Sequence, residues 1–172
     1  SVVLYDGSPF RPGPRVLWDL AAAERIAVFG TSARYLAALD KAGFEPGKET
    51  DLTALRAVLS TGSPLLPETC DYVYRAVKGD LQLSSISGGT DIVSCFCLGS
   101  PVLPVYKGEI QCRGLGMRTQ VFDDAGHRVI GSRGELVCTA PFPSMPIGFW
   151  NDQDGSRYRD AYFARFPNTW HH

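Results

Sequence analysis

The chain has 172 residues, 44% of them hydrophobic and 20% charged, and thirty are glycine or proline. That share is well above the usual total of about 12%, but the other values are globular averages, which exclude a disordered tail, a coiled coil and a collagen-like fibre. Seventeen basic residues face eighteen acidic ones for a net charge of −1; no basic stripe suggests nucleic acid or an anionic membrane, and no apolar run approaches the ~20 residues of a membrane span.

The chain opens on Ser1 to Asp6 with no initiator Met and no signal-peptide pattern, so it is expected to begin inside a longer protein. Val2–Tyr5 is a short apolar run ended by Asp6-Gly7-Ser8-Pro9. Arg15–Arg25 carries Val16, Leu17, Leu20 and Ala23 at helical spacing. Ile26–Phe29 is a second strand-like run, stopped by Gly30. Thr31 or Ser32 then caps a helix whose apolar face is Tyr35, Leu36 and Leu39, closed by Gly43. Asp51 is expected to cap a short helix through Leu52 and Leu55. Val58-Leu59 reads as strand, and Pro67 opens a helix bearing Tyr72, Val73, Ala76 and Val77. Leu81–Ser87 reads as a strand running into Gly88-Gly89.

Strand and helix thus alternate through the first hundred residues, which predicts an α/β fold built on a parallel sheet. Ligands in such folds sit beyond the carboxyl ends of the strands, here the loops after Phe29, Ser60 and Ser87. From Gly99 the helical period disappears. Met117–Phe122 and Val129-Ile130 flank Asp123-Asp124-Ala125-Gly126 as a hairpin, and Glu135–Thr139 is a further strand. The expectation is an α/β subdomain over residues 1–100 followed by a small antiparallel, β-barrel-like subdomain over 101–172. The five cysteines have no zinc spacing and read as reduced thiols on buried strands of a cytoplasmic protein.

Three glycine-rich stretches fail as catalytic motifs. Gly43 to Glu49 has one residue too few between its glycines for a phosphate loop and a Glu where Ser or Thr should bind magnesium. Gly131-Ser132-Arg133-Gly134 and Gly114-Leu115-Gly116 open no helix that could aim N–H groups at a phosphate. A nucleophilic Ser87 would need a Gly where Ser85 stands. Ser84 to Ile92 is different. It offers two glycines, several hydroxyls and one carboxylate after a predicted strand. That inventory suits a triphosphate with its magnesium ion, or equally a tight Gly-Gly turn with Asp91 capping the next element.

The order of these loops resembles the adenylate-forming acyl-CoA synthetases. Gly62-Ser63-Pro64-Leu65-x-x-Glu68 resembles that superfamily's G-x-P-[LI]-x-x-E adenine loop, and Ser87-Gly88-Gly89-Thr90-Asp91 sits where it has Y-G-x-T-E. Gly134-Glu135-Leu136 is similar to its G-E-[LIV] strand, and Trp170-His171-His172 to the start of a W-x-H-G-D form of its ribose motif. The Ser-Gly-Gly-Thr-Asp-Ile variant with Trp-His-His is most similar to the branch that activates acetoacetate. The resemblance implies an internal fragment of the large N-terminal domain of a ligase using ATP, magnesium and coenzyme A, with the rest of the enzyme on either side. The alternatives are a synthetase for another short acid, or a non-catalytic binding module that kept the sheet.

By that resemblance Thr90 contacts phosphate, Asp91 holds the metal, and Gly62, Ser63, Pro64, Ser85, Ile86, Ser87, Gly88 and Gly89 line the nucleotide. Thr61 and Gly88 face the acyl pocket. Similar acetyl-CoA synthetases have a Trp in place of Gly88, so a Gly is expected to leave room for a longer acid. Two departures stand out: Ser87 replaces the motif's Tyr, and Asp91 is one methylene shorter than its Glu. The superfamily's phosphate loop, ribose Asp and adenylating Lys have no counterpart in the chain, which is therefore expected to be inactive alone.

Overall fold

The computed structural model describes residues 1–172. The chain divides into two compact units, one of residues 1–86 and 99–111, the other of 87–98 and 112–172.

The first unit holds a three-stranded parallel sheet ordered β1 (Val28–Ser32), β2 (Ala57–Thr61) and β3 (Gln82–Ser85). Its helices are α1 (Val16–Ala23), α2 (Ala33–Lys41), the single turn α3 (Pro46–Glu49) and α4 (Pro67–Tyr72), which continues as a π-helical turn over Val73–Val77. The core packs Trp18, Leu36, Leu39, Leu55, Val58, Tyr72, Val73 and Leu83 with almost no solvent contact. Tyr72 donates its hydroxyl to the Phe44 carbonyl at 2.8 Å, so its buried polar atom is satisfied.

The expected α2 face of Tyr35, Leu36 and Leu39 is buried, joined by Ala33, and Pro67 begins α4. Of the two candidate caps, Ser32 does the work: its Oγ accepts the Tyr35 N–H at 3.1 Å. Ser32→Ala is expected to cost about 1 kcal/mol in urea unfolding of this chain. An unchanged midpoint would show that α2 does not depend on its cap.

Four local readings are corrected. Val2–Tyr5 forms no strand and is exposed, with Val2 and Leu4 nearly bare. An isolated apolar run without a pairing neighbour has no partner for its backbone groups. The run expected over Ile26–Phe29 is not stopped at Gly30: β1 starts at Val28 and runs through Gly30 to Ser32, where α2 starts at once, so no loop follows Phe29. Asp51 accepts the Thr53 N–H at 3.0 Å in a turn without beginning a helix; the helical turn lies earlier, at Pro46–Glu49. The strand expected over Leu81–Ser87 breaks at Ile86 into β3 and β4, because its two parts pair with different neighbours.

The second unit has two antiparallel three-stranded sheets. One is β4 (Ser87–Gly89), β5 (Ser94–Leu98) and β6 (Cys112–Arg113); the other is β7 (Thr119–Phe122), β8 (Glu135–Cys138) and β9 (Trp170–His171). The turn at Asp123–Gly126 forms, with the Asp123 carboxylate accepting from Ala125 and His127 N–H at 3.0 and 2.8 Å. Its return arm meets β7 only at the Phe122–Arg128 bridge and the Val129-to-Val121 hydrogen bond; β7 takes β8 as its main partner instead. One further helix, α5 (Ser156–Tyr162), has no counterpart in the sequence expectation.

All five cysteines are free thiols. Cys95, Cys97, Cys112 and Cys138 lie on strands, but Cys70 is buried on helix α4, not on a strand. No helix is long and apolar enough to cross a membrane.

Candidate functional site

The candidate residues divide between the two units. In the first, Ser60 of β2 pairs with Ser85 of β3, and the Ile86 N–H donates to the Ser60 carbonyl at 3.1 Å. Thr61, Gly62, Ser63 and Pro64 therefore leave the carboxyl end of β2 beside Ser85 and Ile86 at the end of β3. That is the edge where a parallel sheet presents its ligand-binding loops. Gly62 adopts φ of +80°, a conformation that favours glycine. Thr61, Gly62 and Pro64 are exposed, and Leu65 tucks into the core behind them. Ser60 is fully buried, and its hydroxyl has no hydrogen-bond partner.

In the second unit, Ser87, Gly88 and Gly89 are strand residues, and the turn falls on Thr90 to Val93. The turn therefore follows the two glycines instead of falling on them as the alternative reading expected. Asp91 does not cap a following helix. It accepts a hydrogen bond from the Tyr162 hydroxyl at 2.6 Å. Thr90 and Asp91 are exposed at the turn, while Ile92 beside them is fully buried and anchors it.

Gly88 has a structural reason that the sequence did not disclose. A Cβ there would overlap the Ser94 carbonyl oxygen and stand 2.8 Å from the Cys95 Cα. The register between β4 and β5 shifts at this point. The expectation that Gly88 simply leaves free volume needs correction: the space beside its Cα is filled by the backbone of β5. At Gly89 a Cβ would overlap Oδ1 of Asp91, so this glycine makes room for the carboxylate.

Tyr162 is the site residue that sequence reasoning missed. It sits in the last turn of α5, and its ring stacks on Trp170 with centroids 3.7 Å apart and planes 18° apart. Burial, then the Asp91 hydrogen bond, push its pKa up to about 12, so near neutral pH the hydroxyl is a donor. A signal for α5 was available. Asp152 and Asp154 precede it, and Tyr158 and Tyr162 are four residues apart on one helix face. In the structure Asp152 accepts from the Arg157 and Tyr158 N–H groups, and Asp154 from that of Ser156.

His172 lies against β8 and β5. The His172 N–H donates to the Leu136 carbonyl at 3.0 Å, and the His172 ring lies 4.8 Å from that of Phe96. Desolvation lowers the His172 pKa; the Asp91 carboxylate opposes that shift and His171 adds to it. Glu135 holds β8 to β9 through His171 Nε2 at 2.9 Å, and it also pairs with Arg165 at 2.9 Å. The His171 hydrogen bond, then Arg165, keep the Glu135 carboxyl below its usual range.

No cluster of three or more His, Cys, Asp or Glu residues could cage a metal by itself. Magnesium commonly takes one or two carboxylates and completes its shell with phosphate oxygens and water. A lone aspartate on an exposed turn fits that requirement.

Residues 1–147 match the model of a family described as "AMP-binding enzyme". Over all 172 residues the chain is 60% identical to the acetoacetyl-coenzyme A synthetase of Rhizobium meliloti (strain 1021). It superposes on the solved acetoacetyl-CoA synthetase of Streptomyces lividans with a TM-score of 0.89 at 46% identity, covering 98% of this chain and 26% of that one. An anthranilate CoA ligase solved with anthranoyl-AMP superposes at a TM-score of 0.80 and 16% identity, over 99% of this chain and 31% of that one, which is a likeness of fold. The chain spans about a quarter of the length of the curated relatives it matches, 26% of the Rhizobium protein.

Proposed function

Because the chain belongs to the AMP-binding enzyme family, we propose that it is part of an ATP-dependent ligase that joins acetoacetate to coenzyme A. The observation that carries the substrate is the 60% identity, end to end, with a protein named acetoacetyl-coenzyme A synthetase. The sheet geometry supports the nucleotide: Thr61 to Pro64 and Ser85-Ile86 emerge together at the carboxyl edge of β2 and β3.

In this reading a carboxylate oxygen of acetoacetate attacks the α-phosphorus of ATP. The bond from that phosphorus to the bridging oxygen breaks, and pyrophosphate leaves. The thiol of coenzyme A, losing its proton, then attacks the acyl carbon and expels AMP. The first half joins two anions, so donors and cations around the phosphates must offset repulsion and developing charge. Gly62, Ser63 and Pro64 wall the adenine, with Ser85, Ile86, Ser87 and Gly89 along the nucleotide. Ser87 can add a hydrogen bond there, where a Tyr would stack. Thr90 donates its hydroxyl to a phosphate oxygen. Asp91 holds the magnesium ion, which when bound neutralises phosphate charge. Thr61 borders the acyl pocket. A cytoplasmic setting, and the remaining segments of the ligase as partners, belong to the same proposal.

The test uses the complete protein that contains this chain. Pyrophosphate release should be faster with acetoacetate than with acetate or butyrate, and equal rates would remove the substrate assignment. Asp91→Asn is expected to slow release by about a hundredfold, the scale of losing one group that stabilises developing charge. A rate close to that of the unaltered protein would take Asp91 out of the metal site.

A further inference from the structure

An aspartate on an exposed turn ordinarily exchanges among rotamers, and Asp91 is tied at one oxygen to a tyrosine. Its Oδ2 accepts the Tyr162 hydroxyl at 2.6 Å, a short O–H···O contact. Its Oδ1 fills the space that a Cβ on Gly89 would need. Tyr162 is itself held. Its ring lies flat on Trp170, which is 2% exposed, and meets the rings of Phe149 and Tyr158 at 5.6 and 5.4 Å.

We infer that Tyr162 is a positioning residue: it occupies Oδ2 of Asp91 and leaves Oδ1 as the one carboxylate oxygen free for a divalent cation carried by a phosphate ester. The pairing rests on distances within one unit; its ligand rests on the function proposed above. It also gives a physical role to the shorter acidic side chain. A carboxylate with a short reach gains from being preorganised, because less rotamer freedom is lost when the cation arrives. The same hydrogen bond ties the Thr90–Val93 turn to α5, 71 residues away in sequence.

The test compares Tyr162→Phe, Asp91→Asn and the double variant with the unaltered complete protein. Calorimetry reads ATP affinity with magnesium and with a chelator. Tyr162→Phe is expected to weaken magnesium-ATP binding about tenfold, the scale of one hydrogen bond to a charged group, and to leave metal-free ATP binding unchanged. The double variant should bind no more weakly than Asp91→Asn alone. Equal losses with and without metal, or full additivity with Asp91→Asn, would overturn the inference. Thermal unfolding of the same four proteins separates it from the functional reading. If the unaltered protein binds no ATP, the proposed function fails, and the pair is judged by the midpoints alone. Non-additive shifts then uphold the Tyr162–Asp91 coupling and additive shifts overturn it.

Discussion

Gly88→Ala is expected to destabilise this chain by about 1–3 kcal/mol in urea unfolding, the usual range for forcing extra atoms into a filled space. The cause is specific. The new Cβ overlaps the Ser94 carbonyl oxygen and stands 2.8 Å from the Cys95 Cα, and both are backbone atoms that no rotamer change can move. Strands β4 and β5 must separate or slip, and the three-residue β4 has few other hydrogen bonds to resist that. Gly88→Trp produces the same steric conflict with a far larger side chain. Its effect on acetoacetate turnover would therefore report a displaced β5 as well as a filled pocket. Gly148→Ala is the control: nothing lies within 4 Å of a Cβ there, so its effect should stay within about 0.5 kcal/mol. If Gly88→Ala unfolds at the same urea concentration as the unaltered chain, the close approach of the two strands is wrong.

Trp170→Ala is expected to cost about 3–5 kcal/mol, as for other large aromatic truncations in a core. Trp170 is 2% exposed, and its ring meets those of Phe142, Tyr158, Tyr162 and Phe163. Removing it opens a cavity bordered by two elements, β9 and α5, and these cannot collapse inward together without breaking the Cys138–Trp170 pairing of β8 and β9. The loss should appear as a lowered unfolding midpoint together with weakened near-ultraviolet aromatic ellipticity. Trp170→Phe keeps an aromatic plane for Tyr162 and should recover part of the loss. An alanine variant as stable as the unaltered chain would mean that this cluster does not hold the second unit together.

The two variants probe different supports of one turn. Gly88 fixes how β4 approaches β5, just before Thr90 and Asp91. Trp170 fixes the ring whose hydroxyl holds the Asp91 carboxylate. Neither support could be read from the motif Ser87 to Asp91 itself, because both depend on residues brought in by strand pairing and by helix α5.

What the sequence determined by itself was local and periodic. The apolar face of α2, a cap at Thr31 or Ser32, the start of α4 at Pro67 and the strand at Val58-Leu59 are set by spacing and by backbone chemistry over a few residues; the choice of Ser32 came from the structure. The family motifs were legible for a related reason: glycines, hydroxyls and a carboxylate at set intervals are a chemical inventory that needs no coordinates. Which strand each segment joins was decided only by the tertiary structure. β7 prefers β8 over the nearer return arm at Val129-Ile130, and the run from Leu81 to Gly89 splits at Ile86 into strands of two different sheets. Pairing of that kind is chosen by which side chains can be buried together, a choice made across tens of residues and invisible to a local window. Tyr162 belongs to the same class. Its hydrogen bond to Asp91 exists because Trp170, Tyr158 and Phe149 orient its ring, and that orientation arises from packing rather than from the order of residues along the chain.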